Sequence, residues 1–219
     1  MNNGCFNSSV PNQYITSDFL NNDLLQLLPD GYDVCYITRP DGDITFYLYD
    51  STIPLNKFHD DLIIGYISFD IIHGEDEIFI RWVGVNEFME IPFGYDDDAN
   101  DNEDVEEQDG FNLRGSGFGT YLLLLAVLYA KSLGIKTIRL DDFREQGRDL
   151  DKPNNIYTNI GLEYEDETDP EMIGDVDTVV SNIDSFIERK GQDITDKLNE
   201  LTEWFDDEEY NPMEEDYGD

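Results

Sequence analysis

Cysteine and histidine are scarce in this chain of 219 residues: Cys5 and Cys35 are the only cysteines, and His59 and His73 the only histidines. That scarcity excludes a disulfide framework, leaving one bridge at most. It also argues against a dedicated zinc site, which draws on those residue types, so no metal is expected. Bases are scarce relative to acids, with 13 Lys and Arg against 51 Asp and Glu and a formal net charge of -38. No cluster of Lys and Arg appears anywhere. Direct nucleic-acid binding, which needs local neutralisation of phosphates, is therefore not expected. Long apolar runs are missing too. The longest, Tyr121 to Ala130, is about half of the roughly 20 residues a spanning helix needs. The start, Met1-Asn2-Asn3-Gly4-Cys5-Phe6-Asn7, lacks a basic region followed by an apolar one, so no secretory signal is expected. The expectation is an intracellular, cytoplasmic protein with no membrane partner.

What is present supports a folded body. The chain is 39% hydrophobic and 13% aromatic, enough large side chains to offset ordering entropy despite the charge. Its length permits one substantial domain with appendages or two small domains. The negative field concentrates cationic partners; the plain alternative is that it only maintains solubility.

Residues 1–14, rich in Asn and Ser, read as a flexible leader, and residues 15–166 as the main body. Ser17 or Asp18 suits the start of a helix through Leu27 or Leu28, closed by Pro29-Asp30-Gly31. From Tyr32 the period changes to two. Asp33 to Thr38 and Ile44 to Tyr49 flank a hairpin turn at Arg39-Pro40-Asp41-Gly42-Asp43. Ile44, Phe46 and Leu48 alternate with Thr45, Tyr47 and Tyr49, the pattern of a half-buried strand. A second hairpin joins Leu62–Ile72 to Ile78–Val85, giving four consecutive antiparallel strands.

Residues 95–110 hold nine acids and no base, a solvated loop by its self-repulsion. Gly117 to Leu133 is then apolar almost all round, a helix that must be buried, with Gly134 placed to end it. Lys136 to Leu140 reads as a strand, Asn155 to Ile160 as a short helix and Leu162 to Tyr164 as the start of a last strand. That succession implies a crossover and a parallel pairing. Residues 163–219 hold 22 acids and three bases. Even so, Val176, Val179, Val180, Ile183 and Ile187 share one helical face, as do Ile194, Leu198, Leu201 and Phe205, with Gly191 between the two segments. Residues 167–206 therefore read as a helical hairpin packed on the body or on another chain, a possible route to a homo-oligomer. Residues 207–219 read as a disordered acidic tail.

Arg114-Gly115-Ser116-Gly117-Phe118-Gly119 opens the apolar helix. Backbone N–H groups left uncovered at a helix start form an anion cradle, and the helix dipole adds to the attraction. A dinucleotide fold would place this turn in its first strand–helix unit, and a triphosphate loop would end Gly-Lys-Ser/Thr; this turn does neither.

In this setting the chain resembles the GNAT superfamily of acetyl-coenzyme A-dependent N-acetyltransferases. Arg114, Gly117 and Gly119 match the family's Arg/Gln-x-x-Gly-x-Gly/Ala motif. Tyr157-Thr158-Asn159-Ile160-Gly161-Leu162 matches its Tyr-x-x-x-Gly-Phe element with Leu in place of Phe. The resemblance covers roughly residues 33–166. It implies an α/β (α+β) fold with a mixed, mostly antiparallel sheet flanked by helices, here with an acidic helical C-terminal extension. It also implies acetyl-CoA as cofactor, held by Arg114, Gly115, Ser116, Gly117, Phe118, Gly119 and Thr120. The backbone of Val83, Gly84 and Val85 would join them, on a strand that splays from its neighbour around a bulge; Gly84 suits a bulge or close backbone approach. The plain alternative for that stretch is a core strand, and for Arg114 a surface cap or ion pair.

The implied reaction is attack of an amine on the thioester. Tyr157 stands where the family carries a proton donor to sulfur, or else anchors the last helix as an aromatic. Asp142, with Asp141 and Glu77 as alternatives, is the candidate base. The charge suggests a cationic acceptor, a polyamine-like small molecule or a basic protein. The competing expectation is an inert protein of the same fold that binds a basic partner through its acidic loop and tail.

Overall fold

The computed structural model describes residues 13–14, 22–38, 42–52, 63–72, 74–85, 87–88, 111–113, 115–142, 157–166 and 170–206. In chain order the elements are β1 (Gln13–Tyr14), α1 (Asn22–Leu25), β2 (Tyr32–Thr38), β3 (Ile44–Asp50), β4 (Ile63–Ile72), β5 (Glu77–Val85), β6 (Glu87–Phe88) and β7 (Phe111–Asn112). There follow α2 (Phe118–Ser132), β8 (Thr137–Asp141), a single 3-10 turn (Thr158–Ile160), β9 (Glu163–Tyr164), β10 (Glu171–Asp175), α3 (Val176–Ser181) and α4 (Ile183–Asp206). Residues 1–12 of the expected leader, the loop 95–110 and the tail 207–219 lie outside the described residues; Gln13 and Tyr14, expected at the end of that flexible leader, instead form β1 and pair with Tyr36 and Cys35 of β2.

The four strands read from period-two alternation are β2 to β5, and they pair antiparallel in succession. The eight-stranded sheet has the order β1-β2-β3-β4-β5-β8-β10-β9, and β5 with β8 is its parallel pair. The crossover between those two strands is α2. This is a mixed, mostly antiparallel sheet with helices against it.

Two details differ from the sequence reading. β3 is buried on both faces rather than one, because Tyr47 and Tyr49 join Cys35 and Ile63 in a second apolar cluster, separate from the main core. Between β8 and the short edge strand β9, moreover, the chain returns to insert β10.

α2 is buried along nearly its whole length, from Phe118 through Ala130. It packs on β3, β4 and β5 on one side and on α3 on the other. The C-terminal segment corrects the hairpin expectation. The break falls at Asn182, whose side chain donates to the Ile160 carbonyl at 3.2 Å, and the chain then stays helical to Asp206. Gly191 lies inside that helix, where an added Cβ would come 2.9 Å from Leu27 Cδ2. A mid-helix glycine costs about 1 kcal/mol in propensity, and here it permits close approach by the segment after α1. Thr195 Oγ1 donates to the Leu27 carbonyl at 2.8 Å and Tyr32 Oη to the Leu198 carbonyl at 2.9 Å. The apolar stripe Ile183, Phe186, Ile194, Leu198 and Leu201 is buried against the chain's own body. Among the described residues no helix is long and apolar enough to cross a membrane.

Tyr121, fully buried in α2, has no hydrogen-bond partner for its hydroxyl among the described residues. Burial, with a smaller contribution from Asp33, holds that phenol far above its usual range. An unsatisfied buried hydroxyl costs about 1–3 kcal/mol. Tyr121→Phe is therefore expected to leave stability unchanged or raise it by about 1 kcal/mol in urea unfolding; a clear loss would reveal a partner for the hydroxyl.

Candidate active site

β6 and β7 pair through Glu87↔Asn112 and Phe88↔Phe111, which brings together the chain on either side of residues 89–110 and delivers it to the start of α2. The turn is built on two left-handed glycines, Gly115 at φ +80° and Gly117 at φ +106°. Gly117 is the N-cap, its carbonyl accepts from Tyr121 N at 2.9 Å, and no side chain caps the helix. The N–H groups of Phe118, Gly119 and Thr120 precede that first helical bond and so have no acceptor within the helix. Ser116 is buried, with its N–H toward the Leu113 carbonyl at 3.4 Å. Arg114 lies outside the described residues.

The sheet opens beside this turn. β8 pairs with β5 only from Glu77↔Thr137 to Ile80↔Leu140, while β5 runs on through Arg81 to Val85. At the same place β5 carries one surplus residue: Phe69 pairs with Ile80 and Ser68 with Trp82, leaving Arg81 as the bulge. A bulge bends its strand and increases the local twist. Pairing with β8 ends one residue before Arg81, so Val83, Gly84 and Val85 lie beyond it, and the bulge falls at Arg81 and not at Gly84. Gly84 serves another purpose, since a Cβ there would lie 2.4 Å from Tyr66 Cε1, so the Tyr66 ring lies where a side chain at Gly84 would be.

Val83 connects the two features. It pairs with the buried Ile67, and its Cγ1 lies 3.6 Å from where a Gly119 Cβ would stand. The stretch of β5 beyond its pairing with β8 therefore packs beside the first turn of α2.

Among the candidate bases, Glu77 lies at the far end of β5 and accepts from Arg139 Nε at 2.8 Å, so it is committed to an ion pair. Asp141 pairs in register with Glu171. Asp142 follows the end of β8 at which the sheet opens. It is buried, its N–H donates to the Pro170 carbonyl at 2.9 Å, and its Oδ2 accepts from Tyr164 Oη at 2.6 Å. Tyr157 is half-buried against the main core at the start of the turn that enters β9, and its carbonyl accepts from Ile160 N and Leu162 N. That places it beside a strand two positions from β8, whereas Asp142 stands at the opening itself. Cys35 is free and buried, and burial, with a contribution from Asp33, pushes its thiol up to about 12, which removes it as a nucleophile at neutral pH.

Two residues at the turn carry no local sequence signal. Lys190 of α4 donates from Nζ to the Gly115 carbonyl at 3.1 Å and pairs with Asp193 at 2.8 Å. Its Cβ lies 3.3 Å, and Phe186 Cε2 3.6 Å, from where a Gly117 Cβ would stand. The C-terminal helix thus lies against the glycine turn.

No family model matches the chain, and neither does any curated protein. Solved structures similar to it are N-acetyltransferases. The PaiA N-acetyltransferase of Thermoplasma acidophilum, crystallised with coenzyme A, is 18% identical over 61% of each chain at a TM-score of 0.37. The match thus spans less than two thirds of that enzyme. A putative acyl-CoA N-acyltransferase of Klebsiella pneumoniae is 13% identical over 66% of this chain and 97% of its own, at 0.42. The aminoglycoside 6'-N-acetyltransferase of Enterococcus faecium is 15% identical over 64% and 77%, at 0.39. Scores this low leave the reading of the site to its own geometry.

The two motif glycines are expected to behave differently on substitution. Gly117→Ala meets a left-handed backbone and the Lys190 side chain and is expected to cost about 1–3 kcal/mol. Gly119→Ala meets only ordinary contact with Val83 and is expected to be tolerated within about 0.5 kcal/mol. Chemical denaturation of both variants checks this, and equal losses would contradict it.

Proposed function

We propose that the chain is an acetyl-CoA-dependent N-acyltransferase acting on a cationic amine. The observation that carries this is that the stretch of β5 beyond its pairing with β8 meets the first turn of α2 through Val83 and Gly119. The residues present suit the cofactor: a helix start whose first N–H groups have no acceptor within the helix, for a pyrophosphate, beside a strand stretch past its pairing with β8, for an amide-bearing arm. Gly115 to Thr120 would hold the first, together with Arg114, and Val83, Gly84 and Val85 the second. When bound, acetyl-CoA supplies an activated acyl group for transfer to nitrogen.

The chain's own residues have the remaining tasks. Asp142, oriented by Tyr164 at the end of β8, takes the proton of the incoming amine directly or through water. Tyr157, assigned from its place ahead of Gly161 and Leu162, donates a proton to the departing sulfur; a phenol of pKa about 10 is protonated at neutral pH. The net charge of -38 raises the local concentration of a cationic acceptor.

A second reading, an inert protein of this fold that holds a basic partner, has one observation in its favour: Phe186 and Lys190 lie over Gly117. Calorimetry with acetyl-CoA separates the two. The transferase reading expects saturable binding, competed by CoA, and acetylation of an amine panel. It also expects a loss in kcat of at least about 100-fold in Tyr157→Phe, the usual scale of a general acid, with cofactor affinity retained. Absence of acetyl-CoA binding, with salt-sensitive capture of a basic protein, would overturn it in favour of the second reading.

A further inference from the structure

Trp82 stands out among the described residues, whose large apolar side chains are mostly covered. It is 65% exposed, and Leu133 is the other large apolar residue so exposed among the described residues. Its position has a definite cause. Ile78 and Ile80 point into the main core, and strict alternation would send residue 82 after them. The surplus residue Arg81 shifts the phase by one, so that Trp82 pairs with Ser68 on the outer face while Val83 turns inward toward α2. The bulge thus sets the indole on the outer face, two residues past the last pairing of β5 with β8.

We propose that Trp82 is the acceptor platform. Its indole face holds one ammonium group of a multiply charged amine on the sheet face away from α2, while a second, uncharged amine of the same molecule reaches the opening between β5 and β8. The inference rests on the transferase reading for which amine reacts. A cation over an indole is attracted by the ring's quadrupole, and Trp is the strongest aromatic partner for it.

The surroundings suit such a guest. Tyr66, which pairs with Gly84 and lies over it, is diagonal to Trp82 on the same face, and the Tyr47 and Tyr66 rings are 6.4 Å apart between centroids. The adjacent base, Arg81, is bound by Asp70, so it does not leave an uncompensated positive charge beside the indole. The net charge of -38 favours a dication over a monocation everywhere on the surface, but only an aromatic platform makes the preference depend on one residue.

The test uses the full chain and no cofactor. Calorimetric titrations compare a straight-chain diamine with the amino alcohol of equal length, in wild type, Trp82→Phe and Trp82→Ala. The expected result is a diamine preference that falls by about tenfold in Trp82→Ala and by less in Trp82→Phe. Trp204 is the only other tryptophan, so in Trp204→Phe the emission reports Trp82 and should respond to diamine but not to the amino alcohol. A preference unchanged in Trp82→Ala, or emission indifferent to diamine, overturns the proposal. Diamine binding at Trp82 in a chain that binds no acetyl-CoA would support the platform and overturn the transferase reading separately.

Discussion

β5 carries one residue more than β4 can pair, and most of what is distinctive about the site depends on that mismatch. Up to Ile80 the strand belongs to the core: Ile78 and Ile80 point inward, β4 lies on one side and β8 on the other. At Arg81 the phase shifts and the pairing with β8 stops. Beyond it the same strand offers Val83 to α2 and Trp82 to the opposite face, on a stretch that β8 does not pair. One insertion thus separates a stretch held between two neighbours from a stretch paired by β4 without β8.

Much of this fold was legible in the sequence because its signals are local. Alternation over Asp33–Thr38, Ile44–Tyr49, Leu62–Ile72 and Ile78–Val85 marks β2 to β5, and an all-round apolar run bounded by Gly117 and Gly134 marks α2. β10 was missed because Glu-Met-Ile-Gly-Asp is five residues with no clear alternation, and its strand character comes from pairing with β8 and β9. Gly191 was read as a break because glycine is a poor helix former. Its reason, the close approach of Leu27, belongs to a residue far away in the chain.

The site divides in the same way. The glycine turn and the strand beside it were visible as motifs, and the structure brings Val83 and Gly119 together. Nothing in Ile78-Phe79-Ile80-Arg81-Trp82 marks Arg81 as a bulge; only the register with Phe69 and Ser68 shows the surplus residue. Nor could the sequence announce that Lys190 and Phe186 would reach the turn, since contacts across some 70 residues leave no periodic trace. Their arrival changes the meaning of Gly117. A positive φ and a neighbouring helix already require glycine there, so its presence says less about a ligand than that of Gly119, which the fold alone does not demand.

A long acidic helix packed on an acidic body looks unfavourable until magnitudes are compared. The outer face of α4 exposes Asp184, Glu188, Asp193, Asp196, Glu200 and Glu203. Like charges one turn apart on a helix cost about 0.2–0.5 kcal/mol per pair, and less in salt. Lys190 with Asp193 and Lys197 with Glu200 offset part of that. The opposite stripe buries Ile183, Phe186, Ile194, Leu198 and Leu201 to 3% exposure or less, and each such side chain contributes about 1.5–3 kcal/mol. Burial outweighs repulsion several-fold, so α4 stays docked and the glycine turn keeps its covering residues. The acidic surface is then free to act where charge has long reach and little cost to the fold, on the encounter with whatever cation approaches.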